Sequence, residues 1–314
     1  MEKYRILEEL GQGAFGKVYK AERKEDGSVH ALKCLTVDSL EKSEVVIREI
    51  HALQQAVGKH QNILQFIGLI AEGVGLHTPV LNVWLIVEYC DGGTLDSFIL
   101  KDKPSRATVL QLLCQAAEGV AYLHGRNVVH GALKPDNILV DNSGQRPVVK
   151  VADFGVVCAR ALGEWGDNYA QTMIMYLSPE LLLNIVAQRD LLTTTTEADV
   201  FALGLIIAAI LGQMTDSAAP STDPADPGTD PATDPAAPGK LVPAVYVEGK
   251  LTAVAKVMIT HPEFPVADML MTSEPQGSPV KALVVSMLGV YPHQRPTSEQ
   301  VLGRLRQITG SSGG

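Results

Sequence analysis

A basic surplus, paired cysteines and membrane-length apolar runs are all missing from this sequence, and each absence removes a class of function. Lys and Arg number 26 against 35 Asp and Glu, a net charge of −9. Neither a nucleic-acid partner nor an anionic membrane surface is therefore expected. The four cysteines, Cys34, Cys90, Cys114 and Cys158, are scattered without a C-x-x-C pair, which argues against zinc or dithiol chemistry. Reduced, mostly buried thiols fit an intracellular protein, cytoplasmic or nuclear. The longest apolar run, Val200 to Leu211, is too short to span a bilayer and reads as a buried helix, so no membrane insertion is expected. The polar start, Met1 to Leu10, runs straight into a strand pattern and lacks signal-peptide character.

One stretch lacks positive charge altogether. Residues 216–239 carry Asp216, Asp223, Asp226, Asp230 and Asp234 with no Lys or Arg, which leaves only −4 for the rest of the chain. It is a degenerate Thr-Asp-Pro repeat without aromatic or large aliphatic residues. Proline removes backbone donors and like charges repel, so a disordered insertion is expected here. A docking segment for a basic partner is the alternative. Residues 310–314 read as a flexible tail.

What is present begins with short strands. Tyr4–Gly11 and Lys17–Arg23 alternate across a glycine-rich turn like a hairpin, and Val29–Leu35 is a third strand. Ser43–Gln55 places Val46, Ile47, Ile50 and Leu53 near a helical period. Ile63–Ile70 and Val83–Tyr89 follow as strands. From Leu95 helices dominate, the longest over Ala107–His124, with Ile138–Asp141 and Val148–Val151 as a small strand pair. Strands first and helices afterwards predict an α+β fold in two lobes, 1–89 and 90–309.

The chemistry starts at Gly11-Gln-Gly13-Ala-Phe-Gly16-Lys-Val18, a G-x-G-x-x-G-x-V segment between two strands. Glycines let backbone approach phosphate oxygens; a strand, not a helix, follows, which disfavours the dinucleotide fold. On the third strand His30-Ala31-Leu32-Lys33 places a lysine where it can reach α- and β-phosphates if a carboxylate holds it. Glu49, on the amphipathic helix, is the natural partner.

Three further segments carry a resemblance to a known family. His130-Gly-Ala-Leu-Lys134-Pro-Asp-Asn137 resembles the protein kinase catalytic loop H-R-D-L-K-P-x-N. Asp153-Phe154-Gly155 and Ser178-Pro179-Glu180 follow like the metal-binding and activation-segment motifs. Order and spacing match from about Tyr4 to Leu305. Within the superfamily, Val148–Gly155 and Ala198–Ile207 are similar to the CLIK group, which interacts with PDZ–LIM proteins.

The resemblance implies a Ser/Thr-type phosphotransferase fold with ATP and Mg²⁺ as cofactors. It implies Asp153 and Asn137 as metal ligands and Lys134 as neutraliser of the γ-phosphate. Gly11, Gly13, Gly16, Val18, Ala31, Lys33, Glu49, Val87, Glu88, Cys90 and Leu139 would form the nucleotide site. Val87 would be its gatekeeper, and Glu88 and Cys90 would offer adenine-pairing backbone. Leu53, His130 and Phe154 match a packed column between the lobes. Asp199 matches the aspartate that holds the catalytic loop, and Arg295 would pair with Glu180.

The pattern breaks at three places. Ala132 stands where the family has the aspartate that orients and deprotonates the acceptor, a role contributing roughly 10²–10⁴-fold. Met173 replaces the hydroxyl residue usual in Ser/Thr kinases, with Thr172 one step away. Gly131 replaces the arginine that receives an activation-loop phosphate, so control through Tyr169, Thr172 or Tyr176 by that route is not expected. Three functions remain open at this point. One is a pseudokinase switch or scaffold for a protein partner. Another is a kinase whose catalytic aspartate was changed deliberately to Ala132. The third is a weakly active enzyme using another residue such as Asp136.

Overall fold

A computed structural model describes residues 1–13, 16–55, 60–74, 80–154, 173–187, 194–214, 243, 245–247, 250–262, 264–275 and 277–311. The 216–239 insertion, Gly155, Cys158, Tyr169 and Thr172 lie outside the described residues.

The N-terminal lobe is a five-stranded antiparallel sheet with one helix. Its strands are β1 (Tyr4–Gly13), β2 (Gly16–Arg23), β3 (Val29–Val37), β4 (Phe66–Val74) and β5 (Val80–Glu88), in the order β1-β2-β3-β5-β4. Helix α1 (Leu40–Gln55) connects β3 to the loop before β4. The central strand β3 buries both faces: Ala31, Lys33 and Leu35 on one, His30 and Leu32 on the other. One expected strand starts late. Residues 62–64 do not join β4, because the C-terminal lobe uses their backbone: Leu64 N–H donates to Val151 O and Val151 N–H to Asn62 O, both at 2.9 Å.

The C-terminal lobe is mainly helical. It contains α2 (Leu95–Asp102), α3 (Arg106–His124), the hairpin β6 (Ile138–Asp141) and β7 (Val148–Val151), α4 (Pro179–Val186) and α5 (Thr196–Gln213). After a short pair, β8 (Val245–Val247) and β9 (Lys250–Thr252), come α6 (Val254–Thr260), α7 (Val266–Leu270), α8 (Pro279–Met287) and α9 (Ser298–Ser311). Helix α9 runs two residues, Gly310 and Ser311, into the stretch expected to be a tail, and residues 312–314 lie outside the described ones. Helix α5 is apolar all round, and every residue from Val200 to Leu211 is buried, as such a helix requires. Helices α3, α7 and α8 pack against it. Among the described residues no helix is long and apolar enough to cross a membrane.

Polar groups lock this lobe as firmly as its core does. The Arg295 side chain is wholly buried, and its guanidinium forks onto Glu180, Nη1 to Oε1 and Nη2 to Oε2, both at 2.7 Å. It also donates to the carbonyls of Gly289, Glu197 and Val290 and lies over the Phe201 ring, 4.9 Å from its centre. The pair expected from sequence is present. Burial alone would push the Glu180 carboxyl up, but the Arg295 bonds hold it below its ordinary value of 4.5. A depressed folded pKa contributes stability above about pH 4.5 that is lost as pH falls through the lower folded value. Glu180→Gln should cost about 3–5 kcal/mol at pH 7 by leaving Arg295 uncompensated. Urea titrations should show that difference shrinking as pH falls from 4.5 through the lower folded value, below which the native carboxyl is neutral too.

Candidate active site

Hairpin geometry and lysine placement come first. Gly13 pairs with Gly16 at the β1–β2 turn, and Val18 lies opposite Lys33 in the β2–β3 ladder. Gly16 sits at φ +144°, and a Cβ there would stand 1.7 Å from the Cys34 carbonyl oxygen. No other residue fits that close approach. Lys33 is 7% exposed, so it is not a solvated strand charge. Its ammonium meets Asp153 Oδ1 at 2.9 Å. Glu49, the partner expected from sequence, is on α1, and its side chain lies outside the described residues.

Asp153 combines several constraints. Its φ of +54° is unusual for a residue with a Cβ, the kind of strain found where a side chain must be aimed. Burial pushes its carboxyl up, yet Lys33 beside it, with the charge of Lys134 nearby, holds it below the ordinary value. It is therefore an anion at neutral pH.

The loop at 130–137 is shaped by Asp199 in the first turn of α5. Asp199 accepts the His130 N–H on Oδ2 at 2.7 Å and the Gly131 N–H on Oδ1 at 2.8 Å. Gly131 holds φ +77°, which glycine adopts without strain. The Ala132 N–H donates to His130 Nδ1 at 3.2 Å, and Asn137 Nδ2 donates to the Ala132 carbonyl at 2.7 Å. That bond leaves Asn137 Oδ1 as the amide's free acceptor type for a cation. The Lys134 ammonium lies 3.6 Å from Asp136 Oδ2.

Ala132 is buried at 2% exposure, beside Met173, Tyr176, Leu177 and Leu181 in a shallow pocket that opens to solvent. Gly131, Ala132 and Met173, the three residues that break the family pattern, thus line one spot. Tyr176 is buried as well, at 4% exposure, and burial raises its hydroxyl pKa well above the ordinary range.

The nucleotide side of the cleft is apolar. Val87 lies opposite Ala31 across β3 and β5, and Val87 and Leu139 pack against Leu64, Cys90 and Ala152. Burial pushes the Cys90 thiol up to about 12, so it is inert as a nucleophile at neutral pH. Leu53, His130 and Phe154 are all buried, the His130 and Phe154 rings edge to face at 6.2 Å. Gly11 is exposed at the lip of the hairpin.

The whole arrangement agrees with comparison to known proteins. Residues 4–304 match the family model described as protein kinase domain. The chain belongs to the protein kinase family. Relatives include the Serine/threonine-protein kinase 10 of Rattus norvegicus, 37% identical over 207 residues, 65% of this chain and 20% of that one. The Interferon-induced, double-stranded RNA-activated protein kinase of the same organism is 34% identical, covering 65% of this chain and 40% of its own. The Serine/threonine-protein kinase shk2 of Schizosaccharomyces pombe is 29% identical over 67% of this chain and 34% of its own. The aligned regions make up two fifths or less of each relative's length.

Sequence reasoning missed two residues around Asp199. His124, the last residue of α3, places Nε2 at 2.9 Å from Asp199 Oδ2 and Nδ1 at 2.9 Å from the Ser298 hydroxyl. Nothing local in the sequence marks either residue. Asp199→Ala should strand the buried His130 and Gly131 N–H groups, at about 1–3 kcal/mol each. Chemical denaturation should show a loss of that size, with an Asp199→Asn variant losing less because one amide oxygen remains.

Proposed function

We propose that this kinase domain binds ATP with Mg²⁺ but transfers phosphate poorly as written, and works as a nucleotide-responsive switch or scaffold for a protein partner. The observation that carries this reading is the contrast within one loop. Lys33 and Asp153 meet and Asn137 is fixed by its bond to the loop, while Ala132 presents a methyl group beside Met173. A methyl group neither orients an acceptor hydroxyl nor takes its proton.

The donor set fits a hard divalent cation. Asp153 is an anion and Asn137 keeps an amide oxygen, while among the described residues no cluster of three His, Cys, Asp or Glu could hold a metal alone. Two protein oxygens with the rest supplied by phosphates is how Mg²⁺ is commonly held. When bound, Mg²⁺ would neutralise phosphate charge. Lys33 would bind the phosphates once released from Asp153, and the glycine hairpin would cover them. Val87, Ala31 and Leu139 would wall the adenine, with the Glu88 and Cys90 backbone along its edge.

A second reading is favoured by the loop itself. Asp199, His130 and Asn137 hold residues 130–137 through the backbone of the loop, without using the side chain at position 132, and Ala132 borders a pocket that opens to solvent. An active Ser/Thr kinase disabled at this one residue is therefore the alternative. Asp136 as a substitute base is disfavoured by its neighbour Lys134.

Two measurements test these readings. Thermal unfolding should shift upward with Mg·ATP, by about 2.7 kcal/mol at 100 times the Kd. No shift at millimolar Mg·ATP would sink the nucleotide-binding reading. Ala132→Asp should raise phosphotransfer to a generic Ser/Thr substrate by roughly 10²-fold or more if the enzyme was disabled at this residue. Little gain is expected if Met173 and the acceptor surface have diverged too.

A further inference from the structure

The connector between the lobes is tied down at both ends, and one tie comes from a side chain with no role so far. Glu88 closes β5, and strand alternation puts its side chain on the face opposite Val87, away from the nucleotide walls. Glu88 Oε1 accepts the Gln65 N–H at 2.7 Å, and the Glu88 N–H donates to Gln65 O at 3.0 Å. Glu88 Oε2 meets the Lys150 ammonium at 3.0 Å. Lys150 is on β7, opposite Leu139 and three residues before Asp153. At the far end of the connector, Gly92 N–H donates to Val140 O at 2.9 Å and Val140 N–H to Gly93 O at 2.8 Å.

The Lys150–Glu88 pair is not an ordinary surface contact. The two side chains are 13% and 22% exposed, and Glu88 is held from a second direction by a main-chain donor. Exposed pairs are weak because water and salt screen them and two long side chains must be ordered. Here much of the water is gone and the geometry is fixed by the strands.

We infer that Lys150 is a positioning residue for the nucleotide site. Through Glu88 it clasps the adenine-side backbone to the strand that leads into Asp153. Residues 88–93 then move with the β6–β7 hairpin, and opening of the cleft bends the sheet above Glu88 instead of the connector. The clasp itself is a property of the ligand-free chain; only its effect on affinity rests on the nucleotide-binding reading.

The test uses Lys150→Met, which keeps the aliphatic stem, and Lys150→Arg, which keeps the charge. Amide hydrogen exchange of the ligand-free protein should speed up about tenfold at Gln65 and Glu88, whose N–H groups the clasp holds, in the Met variant, as local opening becomes easier. The Gly92 amide, bonded to Val140, should stay unchanged, and the Arg variant should exchange like the parent. Mg·ATP affinity should fall about fivefold in Lys150→Met and recover in Lys150→Arg, a loss near 1 kcal/mol. Exchange at Gln65 and Glu88 within twofold of the parent in Lys150→Met, or equal acceleration in Lys150→Arg, would overturn the clasp. If exchange responds as expected but neither parent nor variants bind Mg·ATP, the clasp stands and the nucleotide reading falls.

Discussion

The buried carboxylate of Asp199 is the point on which the site's geometry rests. A carboxylate taken out of water must find donors, and Asp199 finds two consecutive backbone N–H groups, His130 and Gly131, besides the ring of His124. Because those donors belong to the loop, satisfying the carboxylate also sets the loop's course. Gly131 follows that course with a positive φ. Everything downstream inherits it: the His130 ring that receives Ala132, the Ala132 carbonyl that receives Asn137, and Asn137 itself, whose carbonyl takes the Ala152 N–H next to Asp153. The loop is shaped by its anchor, not by the residue at 132.

The form of the loop therefore does not depend on which side chain stands at position 132. A side chain at position 132 would act on substrate, and none of the hydrogen bonds that build the loop uses it. They use the Ala132 N–H and carbonyl, which every residue except proline provides in full. The metal-facing part and the acceptor-facing part of the loop are separable for this reason. Removing one need not disturb the other.

Legibility in the sequence followed the range of the interactions. Strands and helices with a clear period lay close to where their patterns put them, because pattern and burial report the same face. The start of β4 was misplaced since Ile63 and Leu64 are as apolar as strand residues, yet their backbone bonds to Val151 across the lobe boundary. Motif residues were readable because glycines, Lys33, Asn137 and Asp153 sit at set positions in short segments. The direct contact between Lys33 and Asp153, 120 residues apart, was not. Nor were Glu88 with Lys150, or His124 with Ser298. Such pairs have no period and no local signature; only the folded chain brings them together.

Those long-range ties also bear on the order in which a ribosome can complete this domain. His124 reaches its second partner only when Ser298 arrives at the start of the last helix, and Glu180 waits for Arg295. Ser298 opens α9 and Arg295 lies just before it. A nascent chain that has already emitted the glycine hairpin, the catalytic loop and α5 therefore still holds an unpaired Glu180 and a half-satisfied His124. The C-terminal lobe acquires these buried bonds only once the start of α9 has emerged.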